Sequence, residues 1–407
     1  MLLCEHWLRM KDPDFLFNNR LEDMDIPGDW GIYIHVPFCV RRCKYCAFVS
    51  SVRRPVPDWE YARDICTQFE MQKPENAHWT TLYLGGGTPT TLSDDALIHI
   101  LETIGTNFDR DVEITLEANP EHVTRERAQA WKSAGITRIS LGIQSFEDDM
   151  LHFLGRGHDR KKALNAIETL EKSGFDEISV DLIYGANPGS DEAFEIARWK
   201  NALQLVKSLP VGHLSCYELT LEENTPLWTA QKNGQTILCS EDAILEMMAC
   251  IEDFSGMTQY EISNYSRGGY LSRHNVSCWA GVPYLGLGAA AHSLIRRDGY
   301  IERHANLSNV RKWMLALGKK SIQFPLEFCE KLSSETHLAE RLMLAARTRF
   351  WWSPKTIADS LKCSERPFMK NLSKAVEEEL LEMQGGFYRT TSKGIRLNNR
   401  IDELIFI

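Results

Sequence analysis

Short apolar runs alternate with amphipathic stretches through the first half of the chain. The runs Gly31–Val36, Thr80–Leu84, Val112–Glu117, Thr137–Leu141, Ile178–Tyr184 and His213–Tyr217 are β-rich, and most are bounded by Gly, Pro or charged turns. That pattern predicts strands. Between them, Asp58–Lys73, Asp94–Ile104, Arg125–Ser133, Lys161–Lys172 and Glu192–Lys207 repeat their apolar positions every three to four residues, the period of a helix. Strands alternating with helices predict a parallel sheet in an α/β fold. Such a series makes either an open doubly wound sheet or part of an eight-stranded barrel.

The pattern changes after residue 220. Pro and Gly punctuate it, and Gly281–His292 is rich in small residues. From about Ser333 the periodicity predicts helices over Glu335–Arg347, Ser353–Leu361 and Pro367–Met383. A hairpin of Phe387–Thr391 and Gly394–Leu397 follows, giving a winged-helix-like module. The expected division is an N-terminal extension over 1–30, a core over 31–220, a C-terminal extension of that core over 221–330 and the helical module over 331–407.

Composition narrows the class. Of 407 residues, 43% are hydrophobic and 25% charged, the balance of a folded globular protein. No apolar run approaches the ~20 residues of a membrane span. The net charge of −10 argues against a nucleic-acid binder held by phosphate contacts. The first thirty residues carry mixed charges and do not read as a secretory signal, so a reducing cytoplasmic setting is expected. Eleven cysteines are therefore expected to be buried apolar groups, metal ligands or reactive thiols. Eight are scattered, whereas Cys39, Cys43 and Cys46 directly follow the first predicted strand.

Three thiolates in one tight loop suit a [4Fe–4S] cube with one iron left open. Zinc would want four ligands, and no second cysteine pair lies nearby. Arg41, Arg42 and Lys44 stand among the cysteines. They offset cluster charge, offer a landing patch for an electron donor, or form a solvated basic loop.

The spacing Cys-x3-Cys-x2-Cys after a strand is the signature of radical S-adenosylmethionine (SAM) proteins. The flanking segments Tyr33–Cys39 (YIHVPFC), Gly85–Thr90 (GGGTPT), Glu117–Pro120 (EANP), Ser140–Phe146 (SLGIQSF) and Asp181–Gly185 (DLIYG) together resemble the oxygen-independent coproporphyrinogen III oxidase family. Tyr260–Tyr265 (YEISNY) and His274–Trp279 (HNVSCW) extend the resemblance over roughly residues 30–400. It implies a partial (β/α)6 TIM-like barrel. It also implies a cluster on Cys39, Cys43 and Cys46, and SAM chelating the open iron and cleaved by one electron to a 5′-deoxyadenosyl radical. SAM contacts are implied for Tyr33, Tyr45, Gly86, Gly87, Thr88, Glu117, Gln144, Arg156 and Asp181. For Tyr33 and Tyr45 simple packing is the alternative, and for Asp181 a structural ion pair with Arg156. Most of these residues fall at carboxyl ends of predicted strands, where barrel enzymes place their sites. That agreement favours the partial barrel over the open sheet.

Two features point within the family to its HemW branch, whose members are regarded as haem chaperones. The oxidase has a fourth cysteine two residues after the third; here that position is Phe48. His274–Trp279 resembles the branch's His-Asn-x-x-Tyr-Trp motif, which makes His274 a candidate haem ligand, with Cys278 in place of the Tyr. The turn after Tyr184 is also one residue longer than the family's Tyr-Gly-Leu-Pro-Gly. The expected partners are haem or a porphyrin, an electron donor such as flavodoxin or ferredoxin, and a haem-recipient protein. The alternatives are oxidative decarboxylation of coproporphyrinogen III, as a coproporphyrinogen dehydrogenase-like oxidoreductase, or radical chemistry on another substrate.

Overall fold

The computed structural model describes residues 19–406 apart from 53–54, 109–110, 236, 298–299 and 319–325. Most of the N-terminal extension, Cys4 included, lies outside the described residues. The predicted strand–helix series forms with small shifts at its ends. Strands β1 (Asp29–Val36), β2 (His78–Gly86), β3 (Glu113–Ala118), β4 (Arg138–Gln144), β5 (Glu177–Tyr184) and β6 (His213–Glu218) pair in parallel, each with the next. The helices between them are α1 (Asp58–Gln72), α2 (Asp94–Gly105), α3 (Arg125–Ser133), α4 (Asp148–Leu154), α5 (Arg160–Lys172) and α6 (Glu192–Ser208). Sequence periodicity missed α4, which at seven residues spans only about two turns.

Local chemistry fixes the helix starts. Ser93, Thr124 and Asp159 each stand just before a helix and accept a backbone N–H from its first turn. Along α1, Tyr61, Ile65 and Phe69 recur at i, i+4 and i+8 and are fully buried. They share one apolar core with Ile32, Ile34 and Val36 of β1. The alternate residues of that strand, Tyr33 and His35, point to the opposite, inner face, as the period of two requires.

The sheet extends beyond the six-strand series. On one side β6 pairs with β8 (Asn264–Ser266), and that strand with β7 (Thr258–Gln259). On the other, β1 pairs with β9 (Tyr284–Leu287), followed by β10 (His292–Arg297), β11 (Tyr300–Asn306) and β12 (Leu326–Leu332). Among the described residues this gives one sheet in the order β12-β11-β10-β9-β1-β2-β3-β4-β5-β6-β8-β7. Helix α7 (Arg273–Trp279) contacts β2. Its backbone N–H groups at Arg273 and His274 donate to the Glu113 carboxylate at the start of β3, both at 2.9 Å.

The C-terminal part has three helices where they are expected, α8 (Ser334–Ala346), α9 (Pro354–Ser360) and α10 (Arg366–Glu377), with a second apolar core of its own; α10 stops six residues short of the expected Met383, which lies in a strand. Its hairpin is shifted from the expected position. It is β13 (Leu381–Gln384) against β14 (Phe387–Thr390), and the expected strand Gly394–Leu397 lies instead largely in a helix over Ser392–Arg396. Gly385 and Gly386 explain the shift. Both take positive φ, 60° and 85°, as a two-residue hairpin turn demands, so the strands form on either side of them. No helix of the described residues is long and apolar enough to cross a membrane.

Candidate functional site

A cavity of about 430 Å³ opens at the carboxyl ends of the parallel strands. Cys39, Cys43 and Cys46 line it, on the loop that leaves β1. That loop is pinned at both ends. Cys39 N donates to Ser51 O at 3.0 Å, Ser51 N to Pro37 O at 2.6 Å, and Lys44 N to Leu154 O at the end of α4 at 3.0 Å. Arg156 Nη1 reaches Cys43 Sγ at 3.2 Å, and Thr88 Oγ1 lies 3.7 Å from Cys39 Sγ. Burial raises the Cys39 and Cys46 thiols above their ordinary values.

The glycine turn fits closely against this loop. Gly87 N donates to Val36 O at 2.9 Å, and a Cβ on Gly87 would fall 3.0 Å from Cys39 Sγ. Gly86 holds φ +109°, and a side chain there would strike the His35 ring. Glycine alone satisfies both demands. Glu117, near the end of β3, accepts from Gly86 N at 3.1 Å and from Tyr83 Oη at 2.8 Å. Gln144 ends β4 at a break in strand register and takes φ +72°, rare for a residue with a side chain. Such bulges re-aim side chains and gather at functional sites.

The cavity brings together Tyr45, Gly86, Gly87, Thr88, Glu117, Gln144, Arg156 and Asp181 with the three cysteines. Tyr33 is not brought here; it lines a second cavity, described below. The Asp181–Arg156 pair weighed from the sequence is replaced by other partners. Asp181 accepts from Ser140 Oγ at 3.0 Å and from Ser215, while Arg156 Nη2 donates to Asn119 Oδ1 at 2.5 Å and Gly142 O at 2.6 Å. Asn119 also donates to Thr88 Oγ1 at 3.2 Å, so it links the arginine to the glycine turn. Asn119 lies inside the EANP motif, where the sequence pattern by itself assigns it no role. Its place directly after a strand and before a Pro was the available signal.

The donor set fits an iron–sulfur cube. Among the described residues no three His, Cys, Asp or Glu side chains converge to hold one ion. A cube asks something else, one thiolate for each of three irons set apart from one another. Arg156 Nε is buried in this site without a protein partner, a donor left for a ligand. A cluster held here brings one-electron chemistry; the chain positions it and shields it.

Burial, helped by the charge of Asp181, raises Glu117 to about 7 from an ordinary 4.5. The folded chain then holds a proton that the unfolded chain releases between those values, so stability falls as pH rises through that window. Glu117→Gln is expected to raise the Tm of ligand-free protein at pH 8 by roughly 2–5 °C. The gain should vanish at pH 5, and melting curves at the two values check it. A lower Tm at pH 8 would contradict the buried-carboxylate account.

A second cavity, of about 560 Å³, lies against the inner face of β1 and β9. It is lined by Tyr33, His35, His274, Cys278, Tyr284, His292 and Phe328, among others. Phe48, on the cysteine loop, borders both cavities. His274 is buried, and Thr81 Oγ1 fixes its ring at 2.9 Å from Nδ1. The Tyr83 ring stacks on it with centroids 5.1 Å apart, and the Tyr33 ring lies 6.5 Å away at a similar tilt. Burial lowers His274 to about 4 and pushes Cys278 up to about 12, so both are neutral near pH 7. His274 and Cys278 stand four residues apart on α7 and so share one face.

A parallel half-barrel with a three-thiol loop and a glycine turn at its strand ends is the architecture of a radical SAM protein, and residues 33–199 match the Radical SAM superfamily. That superfamily implies a [4Fe–4S] cluster and SAM as cofactors. The heme chaperone HemW of Lactococcus lactis is 31% identical over 380 residues, spanning 91% of this chain and 96% of that protein. The heme chaperone HemW of Bacillus subtilis is 29% identical over 380 residues, spanning 91% and 97%. The chain belongs to the HemW family. The solved structure of the radical SAM enzyme coproporphyrinogen III oxidase (HemN) from Escherichia coli superposes with a TM-score of 0.77 over 95% of this chain and 92% of that one, at 19% identity, which establishes a common fold.

Proposed function

We propose that this chain is a haem chaperone. It binds a [4Fe–4S] cluster through Cys39, Cys43 and Cys46. SAM lies along Gly86, Gly87 and Thr88, within reach of Tyr45, Glu117, Gln144, Arg156 and Asp181. Haem enters the second cavity, with His274 as the iron ligand, and passes to a recipient protein. One observation carries the reading: two cavities meet at Phe48, with the three thiols in one and a neutral, oriented histidine in the other. A histidine that bonds through Nδ1 presents Nε2 to a metal in a fixed direction. The second cavity falls in the size range of ligand sites, ~300–1,000 Å³. The relatives named as heme chaperones support the same reading. Arg41, Arg42 and Lys44, within the cysteine loop, suit the acidic face of a flavodoxin or ferredoxin. A reducing cytoplasm suits the ten free cysteines among the described residues.

The test is anaerobic. Protein with a reconstituted cluster is titrated with haem, and separately assayed with coproporphyrinogen III, SAM and a reductant. Stoichiometric haem uptake that His274→Ala weakens at least tenfold, with no porphyrinogen turnover, is the expected result. Formation of protoporphyrinogen would overturn the chaperone reading in favour of the oxidase.

A further inference from the structure

Strand β2 carries three alternate residues, Thr81, Tyr83 and Gly85, that link Glu117 of the first cavity to His274 of the second. Thr81 holds the His274 ring through Nδ1. Tyr83 does two things at once. Its hydroxyl donates to Glu117 Oε1 at 2.8 Å, and its ring stacks on His274 at 5.1 Å with 30° between planes. Gly85 gives these groups room, because a Cβ there would fall 2.8 Å from Tyr83 Cε1 and 3.0 Å from Glu117 Oε1. Tyr83 therefore has little freedom to turn by itself: a ligand that draws Glu117 toward the first cavity draws on the Tyr83 hydroxyl, and the ring carries that shift to His274.

We propose that Tyr83 is a positioning residue shared by both sites, through which SAM in the first cavity and haem in the second alter each other's affinity. The inference rests on the two-cavity reading above. Coupling between two binding sites is reciprocal, so SAM must change haem affinity by the same factor as haem changes SAM affinity.

The experiment titrates cluster-loaded protein with ferric haem at zero and at saturating SAM, followed by the Soret band, and repeats the titration in Tyr83→Phe. In wild type the two haem dissociation constants are expected to differ by about fivefold or more. Tyr83→Phe keeps the ring and loses the hydroxyl. It should weaken SAM binding about tenfold, leave the Soret spectrum of bound haem unchanged and bring the ratio of haem constants to about one. Gly85→Ala, which crowds Tyr83 and Glu117 from the other side, should also lower the ratio. A residue that merely supported the fold would lower Tm and both affinities together, leaving the ratio in place. A wild-type ratio of one with both ligands bound overturns the coupling and leaves the haem reading standing, as does a wild-type ratio retained in Tyr83→Phe. Failure of the wild type to take up haem overturns both.

Discussion

Cys43→Ala protein, reconstituted anaerobically with iron and sulfide, should come out nearly colourless, with bound iron reduced at least tenfold from wild type. On the proposed reading each thiolate of the loop would hold one iron of a cube, and among the described residues no fourth cysteine lines the cavity to replace a lost one. Position 48, where the oxidase carries a further cysteine, is a phenylalanine that borders both cavities. Cys43 is the most informative of the three because Arg156 reaches its sulfur at 3.2 Å. Removing the thiol strips the arginine of a partner as well as the cluster of a ligand. The control is Cys329→Ala, an exposed thiol on β12 outside the cavity, which should retain full colour and iron. Iron analysis and the visible spectrum decide the matter. Wild-type iron in Cys43→Ala would remove the cluster from this loop.

The cysteine loop could be read from sequence because everything it needs is local: three thiols within eight positions, directly after a strand of period two. The strand–helix series was legible for the same reason. Asp94–Gly105 and Arg125–Ser133 declare themselves through a capping Ser or Thr and a repeating apolar face. What escaped depends on contacts between distant segments. Tyr83 and His274 lie 191 positions apart, and their stacking follows from how α7 comes against β2. The true partners of Asp181 and Arg156 follow from strand register, since Gly142 of β4 stands opposite Asp181 and offers its carbonyl to the arginine. The hairpin at Gly385–Gly386 was legible in principle. Two consecutive glycines between short runs of strand-forming residues are a local turn signal, which the helical periodicity before them masks.

The small-residue stretch Gly281–His292 was visible as composition but not as a constraint, and Gly286→Ala is expected to show what it does. In β9, Gly286 lies opposite Tyr33 of β1, and a Cβ on it would collide with the His292 backbone carbonyl. Backbone on that side leaves no flexible side chain to move away. The surrounding groups are fully committed. Gly286 N donates to Ser293 Oγ at 2.8 Å, and its carbonyl accepts from Asn306 at 3.1 Å. Two residues on, Gly288 takes φ +96° and donates to Gln68 at 2.9 Å, closing β9 onto α1. The added methyl must force β9 from β10, breaking those bonds and shifting His292 and Tyr284, which line the second cavity. A cost on the order of 3 kcal/mol follows from overpacking together with lost buried hydrogen bonds. For a chain of this size that lowers Tm by roughly 3–4 °C. Gly174→Ala makes the contrast. That glycine has a positive φ, +85°, which Gly286 does not, and a Cβ there meets nothing within 4 Å. Only backbone strain of about 1–2 kcal/mol is then expected. Scanning calorimetry on the two variants separates collision from strain. Equal losses would mean that the close approach of β9 to β10 is not what makes glycine necessary at 286. A larger loss in Gly286→Ala, with haem uptake reduced in the protein that remains folded at 25 °C, ties this stretch to the shape of the second cavity.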